Sequence, residues 1–433
     1  MPKQVLIISP YFPPDHTPDM HRIRMGLQYF RENGWEPIIL TVDPLDSEAS
    51  KDPYLLDTLP DNIKIIRVRI PSPNLTRKIG LGSIAIRALW PFFWQGIKLI
   101  RENKINLIYF STTQFPIMIL GKFWKLLFNI PYLLDFQDPW HSDHYLKLPP
   151  DQRPPKFWFS YHLNKWLEPL AVNSADGLIA VTQPYLDTFH QRYPKTKNIP
   201  LAVIPFGASP ADFEFLKPTL LPDYFPAIPY KGSIRIIYTG VVNQEMQPVI
   251  RWFLQALSTL NQDTLKSPEV WFIGTNYATG NAVKLKVKIL EEAQNMGDHL
   301  IEITNRVPYL TAIQLQLHSD ILLLCGTTDA NYIASKLAPY LISKKPILAI
   351  LHYQSSAVKY LAQEPAARVI TFDPQKVTTD LIVQIQKAYI ELTQFVGTPI
   401  PCAHPELWSA QYLTQKQTQL MDLILNKHKE TNT

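Results

Sequence analysis

Cysteine is nearly absent. The 433 residues hold two, Cys325 and Cys402, which excludes a disulfide framework and any Cys-rich metal site. Glycine is scarce as well, with 15 residues, about half the usual ~7%. No G-x-G-x-x-G, Walker loop or G-x-S-x-G elbow occurs, so common dehydrogenases, kinases and hydrolases lose weight. Long hydrophobic runs are missing too: Ala88 to Trp94 and Ile117 to Leu133 are broken by Pro91 or by Lys122 and Lys125, short of the ~20 residues of a spanning helix. Neither charge sign dominates. Lys plus Arg number 42 against 37 acidic residues, giving +5 without a basic block, which argues against a nucleic-acid partner. Met1 to Ser9 carries too short an apolar run for a signal peptide, so a cytoplasmic location is expected. The histidines show no close metal-ligand pattern except His141 and His144 near Asp143, a loop expected to hold no metal.

Apolar residues, 46% against 18% charged, suffice for a sizeable core, and two domains are expected at this length. Short β-rich runs alternate with helix-length segments. The runs are Val5–Ser9, Pro37–Val42, Ile63–Arg69, Leu107–Ser111, Tyr132–Phe136, Gly177–Val181 and Ala202–Ile204. A Pro-rich aperiodic stretch follows, and the alternation restarts at Ile234–Thr239, Val270–Ile273, Leu300–Ile303, Ile321–Leu324, Pro346–Ile350 and Arg368–Phe372. Parallel strands need crossover connections, usually helical, so this is α/β with two Rossmann-like, doubly wound sheets. The expected organisation is an N-terminal domain over 1–208, a linker over 209–232, a C-terminal domain over 233–400, and a crossover over 401–433. That crossover carries a last helix, about Trp408 to Asn426, that returns to the first domain.

In open α/β sheets ligands bind beyond the carboxyl ends of the strands, and four such loops carry chemistry. The first runs from Ser9 through Asp15 to Arg22 and Arg24 at a helix start, where a phosphate or anionic acceptor could bind. The plainer alternative has both arginines in solvent. The second, Asp135-Phe136-Gln137-Asp138-Pro139-Trp140-His141, places two carboxylates at the end of a buried strand, where Asp138 either orients a substrate hydroxyl or caps the next segment. The third is Gly240, ending Tyr238-Thr239-Gly240, where glycine lets the backbone approach a ligand. The fourth is Ser335-Lys336-Leu337, with Ser335 capping a helix and Lys336 facing a diphosphate, or else a plain cap beside a surface lysine. Separately, Trp90, Phe92, Phe93 and Trp94 with Arg87, Lys98 and Arg101, or Phe123 and Trp124 with Lys122 and Lys125, form either a peripheral membrane contact or helix faces packed on a core.

Taken in order, these segments resemble glycosyltransferase family 4 over nearly the whole chain. Pro10 to Asp15 looks like that family's "PYFPPD" loop, and Asp135 to Trp140 is similar to "DFRDPW" with Gln137 in place of Arg. Ala175 to Thr182 and Ile204 to Gly207 resemble the segments that close the first domain. Ser319 to Leu324 and Ser335 to Ile350 resemble "aDvlLl" and "SKLFEYLAAGKPILAI". The resemblance implies a GT-B fold, two Rossmann-like domains facing across a cleft. It further implies a retaining, metal-independent transfer of a sugar from a nucleotide-sugar donor, with no cofactor, to a glycan or lipid-linked acceptor in polysaccharide or cell-envelope synthesis. Lys336 and Asp138 are then the catalytic candidates. Donor binding falls to Gly240, Ser335, Lys336, Leu337, Asn331 and Arg306, and the acceptor or phosphate side to Arg22, Arg24 and His141.

The departures from the family pattern keep other readings open. The family's paired glutamates, eight apart, fall on Asn331 and Pro339, the basic residue after the glycine turn is Val241, and the glycines of the first loop are His16, Thr17, Pro18 and Asp19. Arg22, Arg24 or Arg306 could supply the missing cation. A non-catalytic, glycosyltransferase-like binding or assembly protein is one alternative, and a GT-B sugar-nucleotide 2-epimerase is another.

Overall fold

The computed structural model describes residues 2–76, 82–141, 143, 146, 149–150, 153, 157–216, 220–226, 232–260, 267–276, 285–330, 335–376 and 380–432. The chain divides into two compact units, Met1–Ser209 with Ala410–Thr433, and Pro210–Ser409.

The first unit is built on seven strands: β1 (Lys3–Ile8), β2 (Trp35–Val42), β3 (Lys64–Val68), β4 (Ile105–Ser111), β5 (Tyr132–Phe136), β6 (Gly177–Ala180) and β7 (Leu201–Val203). They form a parallel sheet in the order β3-β2-β1-β4-β5-β6-β7. Because successive strand side chains point to opposite faces, near-continuous apolar runs feed two cores at once. Leu6, Ile8, Leu40, Ile108, Phe110 and Leu134 meet the helices Ile84–Glu102, Ile119–Phe128, Phe157–Val172 and Gln183–Arg192. Val5, Ile7, Ile39, Leu107, Tyr109, Leu133 and Ile179 meet the helices His21–Glu32 and Ala410–Asn432.

The terminal helix is seated by two glycines. A Cβ at Gly26 would lie 2.6 Å from the Thr414 hydroxyl, and one at Gly177 would collide with the Ile424 side chain. At its outer edge Asp422 accepts from the Trp35 indole at 3.1 Å and pairs with Lys3. The helix spans Ala410–Asn432, later at both ends than the expected Trp408 to Asn426; Trp408 instead packs edge-on against Tyr360 of the second unit, with ring centres 5.0 Å apart.

The second unit repeats the plan with β8 (Ile234–Thr239), β9 (Pro268–Ile273), β10 (Leu300–Ile303), β11 (Ile321–Cys325), β12 (Ile347–His352) and β13 (Ala367–Phe372), ordered β10-β9-β8-β11-β12-β13 and parallel throughout. Two boundaries differ from expectation. The stretch 209–232, expected as a linker, holds the helix Pro210–Glu214, and Phe213, Leu216 and Leu220 pack on Leu310 and Ile313 of the second unit. Residues 401–409, expected in the crossover, also belong to that unit. In both stretches aromatic and aliphatic residues find apolar partners despite the frequent prolines. Among the described residues no helix is long and apolar enough to cross a membrane.

The aromatic helix faces divide between the two alternatives. Phe92 and Trp124 are buried, whereas Trp90, Trp94 and Phe123 are exposed. Arg87 is internal and donates to the carbonyls of Asp46, Pro71 and Gly82, and Lys125 pairs with Asp176.

Gly177→Val forces an added side chain against Ile424 and Leu133. It is expected to destabilise the first unit by about 1–3 kcal/mol, read as a lowered thermal midpoint, whereas a surface substitution such as Gln411→Ala should leave the midpoint in place.

Candidate functional site

In each sheet the chain winds outward from one central strand and then in the opposite direction, so the loops after β1 and β4, and after β8 and β11, part from one another. Such switch points open a crevice at the carboxyl ends of the strands. In the second unit that crevice holds Gly240 and Lys336.

Gly240 follows β8 with φ +129°, a conformation that side chains disfavour. Its space is taken as well: a Cβ there would stand 2.9 Å from the Lys336 Nζ. The amine sits 3.7 Å from the centre of the Tyr238 ring, so the face of an aromatic at the end of β8 is its electrostatic support. Around it Thr239 accepts from the Gln316 amide at 2.9 Å and donates its backbone N–H to the Tyr340 hydroxyl at 3.2 Å. Tyr238 donates to the Val241 carbonyl at 2.9 Å. Lys336 is half-buried as a residue, yet protein closely surrounds its amine, and this desolvation lowers its pKa to about 7. Cys325, whose field acts on the amine, is itself a neutral thiol pushed up to about 12 by burial. Among the described residues no carboxylate pairs with Lys336, so a cation-forming group is held where an anion is lacking.

The other donor-side candidates distribute unevenly. The helix begins at Leu337, with Lys336 as its N-cap and no side-chain capping bond, so Ser335 does not cap it. Ser335 instead lies exposed in the preceding turn. The Leu337 side chain is buried in the core, leaving only its backbone N–H, which has no acceptor within the helix. Pro339 is the third helical residue, a position whose N–H would lack an intrahelical partner in any case; it therefore fits the helix without cost to its bonding. The Arg306 backbone lies 3.8 Å from where a Cβ of Gly274 would stand, and the Gly240 nitrogen 4.0 Å from the same point, which puts Arg306 one loop away from Gly240. Asn331 and His144 lie outside the described residues.

In the first unit the arginines do not face a ligand. Arg22 is buried, 2.9 Å from the Asp135 carboxylate, and donates to the carbonyls of Ile204 at 2.9 Å and Pro205 at 3.3 Å. Its charge is needed to neutralise a carboxylate that burial pushes toward its protonated form. Arg24 is buried too, donating to Thr58 at 2.8 Å and to the His21 ring at 3.2 Å. The phosphate-side expectation for both is therefore replaced by an internal one, and neither stands in solvent. His141 is buried beside Tyr161, and burial with the nearby Arg192 pushes its pKa down. A neutral ring cannot offset a phosphate charge, although it could hydrogen-bond a hydroxyl.

Asp138 is different. Its side chain reaches solvent, yet crowding by protein and then the Asp19 carboxylate push its pKa up to about 6. It makes no capping bond, or any other hydrogen bond, among the described residues. Asp19 is buried and accepts from the Thr112 hydroxyl at 3.0 Å, the Thr113 N–H at 3.1 Å and the Thr113 hydroxyl at 3.3 Å. Gln137 ties the loops together, donating to the Asp19 carbonyl and the Ser111 hydroxyl, both at 3.1 Å. In the sequence Asp19 and Tyr238 have a place in their loops but no role, and Thr112 and Thr113 are not singled out. The signal for the threonine pair was its place directly after a strand that borders the switch point.

Two parallel-sheet units with a lysine at the second unit's switch point define a GT-B protein, and known structures agree. Sucrose-phosphate synthase from Thermosynechococcus elongatus is 12% identical with a TM-score of 0.55, covering 99% of this chain and 98% of its own. Anabaena HepE in complex with UDP-glucose is 14% identical with a TM-score of 0.54 at the same coverage. UDP-GlcNAc 2-epimerase from Methanocaldococcus jannaschii is 10% identical with a TM-score of 0.53, covering 97% and 99%. The model of Glycosyltransferase Family 4 matches residues 25–211, which lie in the first unit apart from the last two. A sequence comparison with curated proteins finds no match.

Lys336→Met removes an amine that is costly to charge where it lies. The unfolded chain binds its proton up to about pH 10.4, whereas the folded chain releases it near 7, so the penalty is full below 7 and relieved as pH rises toward 10.4. The thermal midpoint of Lys336→Met is therefore expected above wild type at pH 6.5, with the gap closing by pH 9.5. A gap independent of pH would contradict the enclosed amine.

Proposed function

We propose that the protein is a glycosyltransferase whose second unit binds a nucleotide-diphosphate sugar with the diphosphate against Lys336. The observation that carries this is the amine held over Tyr238 beside Gly240 with no carboxylate partner among the described residues. A lysine so placed costs stability when empty and gains a partner when a diphosphate arrives. As the bond from sugar to diphosphate breaks, negative charge grows on the leaving oxygens, and an amine already in place stabilises it with little rearrangement. The glycine lets the Lys336 amine close on the backbone at the end of β8, which sets the amine at the switch point. Uridine-diphosphate sugars are the first donors to try, since HepE holds UDP-glucose on this fold.

The acceptor, a glycan or lipid-linked hydroxyl, is assigned to the first unit, where Asp138, just past the end of β5, is open to solvent. At a pKa of about 6 it is mostly ionised at neutral pH and suited to orient or accept a proton from a hydroxyl. Transfer with retention, by attack on the face the diphosphate leaves, and charge neutralisation by Lys336 in place of a divalent ion complete the proposal. The fold alone does not decide among reactions, which is why the test rests on the lysine.

Calorimetric titration of the full chain with UDP-glucose and related donors tests this. Binding should draw a proton onto Lys336 above pH 7, because an adjacent diphosphate raises its pKa from about 7. Affinity should then be highest below pH 7 and fall by up to about tenfold per unit above it. Lys336→Ala should weaken donor binding by about ten- to a hundredfold and abolish that proton uptake, while Asp138→Asn should lower turnover with donor affinity unchanged. A folded protein that binds no nucleotide sugar would sink the proposal in favour of a non-catalytic role.

A further inference from the structure

The helices Ile84–Glu102, Ile119–Phe128 and Phe157–Val172 lie side by side over one face of the first unit's sheet. Their inner faces are core. Their outer faces are also apolar: Trp90 and Trp94 on the first, Phe123, Leu126 and Leu127 on the second, and Trp158, Phe159, Trp166 and Leu170 on the third are exposed. At 100° per residue each set falls within about a third of its helix circumference, so the side chains form stripes rather than scatter.

Tryptophan singles this layer out. The chain has ten, and all four exposed ones are here: Trp90 at 69%, Trp94 at 52%, Trp158 at 72% and Trp166 at 76% of full exposure. Isolated exposed apolar residues need no explanation, but a contiguous group of large ones marks an interaction surface. The charges beside it are mostly of one sign. Lys98, Arg101, Lys122 and Lys165 reach the surface of these helices, against the exposed carboxylate Glu102, which lies 4.0 Å from Lys98, and Lys125 is neutralised by Asp176. Glu168 is buried with Arg192 and Tyr193.

We propose that this helix layer docks on a membrane surface bearing anionic lipid. Tryptophan and leucine on one face with a fringe of lysine and arginine is the composition of a helix lying in the lipid interface. Basic groups near the surface each add about 1 kcal/mol on anionic leaflets. A second copy of the chain fits less well, because two copies meeting through this face would set like-charged fringes of lysine and arginine against each other. None of the side chains belongs to the nucleotide-sugar site, so the inference does not depend on the proposed reaction.

Flotation of the full chain with vesicles tests it, using phosphatidylcholine alone and phosphatidylcholine with phosphatidylglycerol. Binding to the anionic vesicles, weakened at high salt and accompanied by a blue shift of tryptophan emission, is expected. Trp94→Ser and Trp166→Ser should each weaken partitioning about tenfold. Because these side chains are exposed, the variants should fold, as circular dichroism and the thermal midpoint would verify. Lys98→Glu with Lys122→Glu should weaken anionic binding with the tryptophans intact. No binding to either vesicle, binding that the tryptophan variants retain in full, or a stable dimer that fails to bind vesicles would each overturn the proposal.

Discussion

Reversal of winding direction at one strand pair in each sheet is the constraint on which the remaining features depend. Parallel strands must be joined by crossovers, and when those crossovers change direction at β1 and β4, or at β8 and β11, the loops there cannot cover each other. The two openings are chemically unlike. In the first unit the loops are bound to one another through Asp19, Thr112, Thr113 and Gln137, while the Gln137 Oε1 and one Asp135 oxygen are buried without a hydrogen-bond partner among the described residues. In the second, Gly240 and Lys336 leave an amine with no anionic partner among the described residues. Hydrogen bonds between loops hold a loop set together, whereas an amine without an anion beside it is a group that an arriving anion can pair.

Arg22 and Lys336 show how burial decides the role of a cation. Both stand near a switch point. Arg22 meets Asp135 at 2.9 Å and two backbone carbonyls, so its charge is used in holding the loop Ile204 to Phe206 to the sheet. Lys336 meets an aromatic face, which supports a charge only partly and leaves its ammonium hydrogens undirected. The pKa lowered to about 7 follows from the burial that strips water from the amine, and it makes the group sensitive to any anion that arrives.

How much of this was legible in the sequence depended on whether a pattern is local. All thirteen strands could be read because strands buried on both faces are continuous runs of branched apolar residues, and Tyr132–Phe136, Ile234–Thr239 and Leu300–Ile303 match to the residue. The beginning of the helix at Leu337 was misplaced because Ser335-Lys336 has the composition of a cap while the backbone stays in a turn. Arg22 and Arg24 could not be told from solvated arginines, since their partners Asp135 and Thr58 lie 113 and 34 residues away. Tyr238, the support of Lys336, was hidden because a strand-end aromatic looks like core until the side chain above it is placed.

The first unit's two helix layers, packed on opposite faces of one sheet, have opposite outer compositions. The terminal helix Ala410–Asn432 shows mostly glutamine, lysine, threonine and glutamate to solvent, with Leu423 as its exposed large apolar residue. The layer across the sheet shows tryptophan, phenylalanine and leucine. Sheet packing explains the inner face of each layer and is indifferent to the outer one, because either composition buries the same core. Solubility would favour the polar solution on both sides. The apolar outer face therefore calls for a cause beyond folding, and its restriction to one side of one unit is what a single docking surface requires.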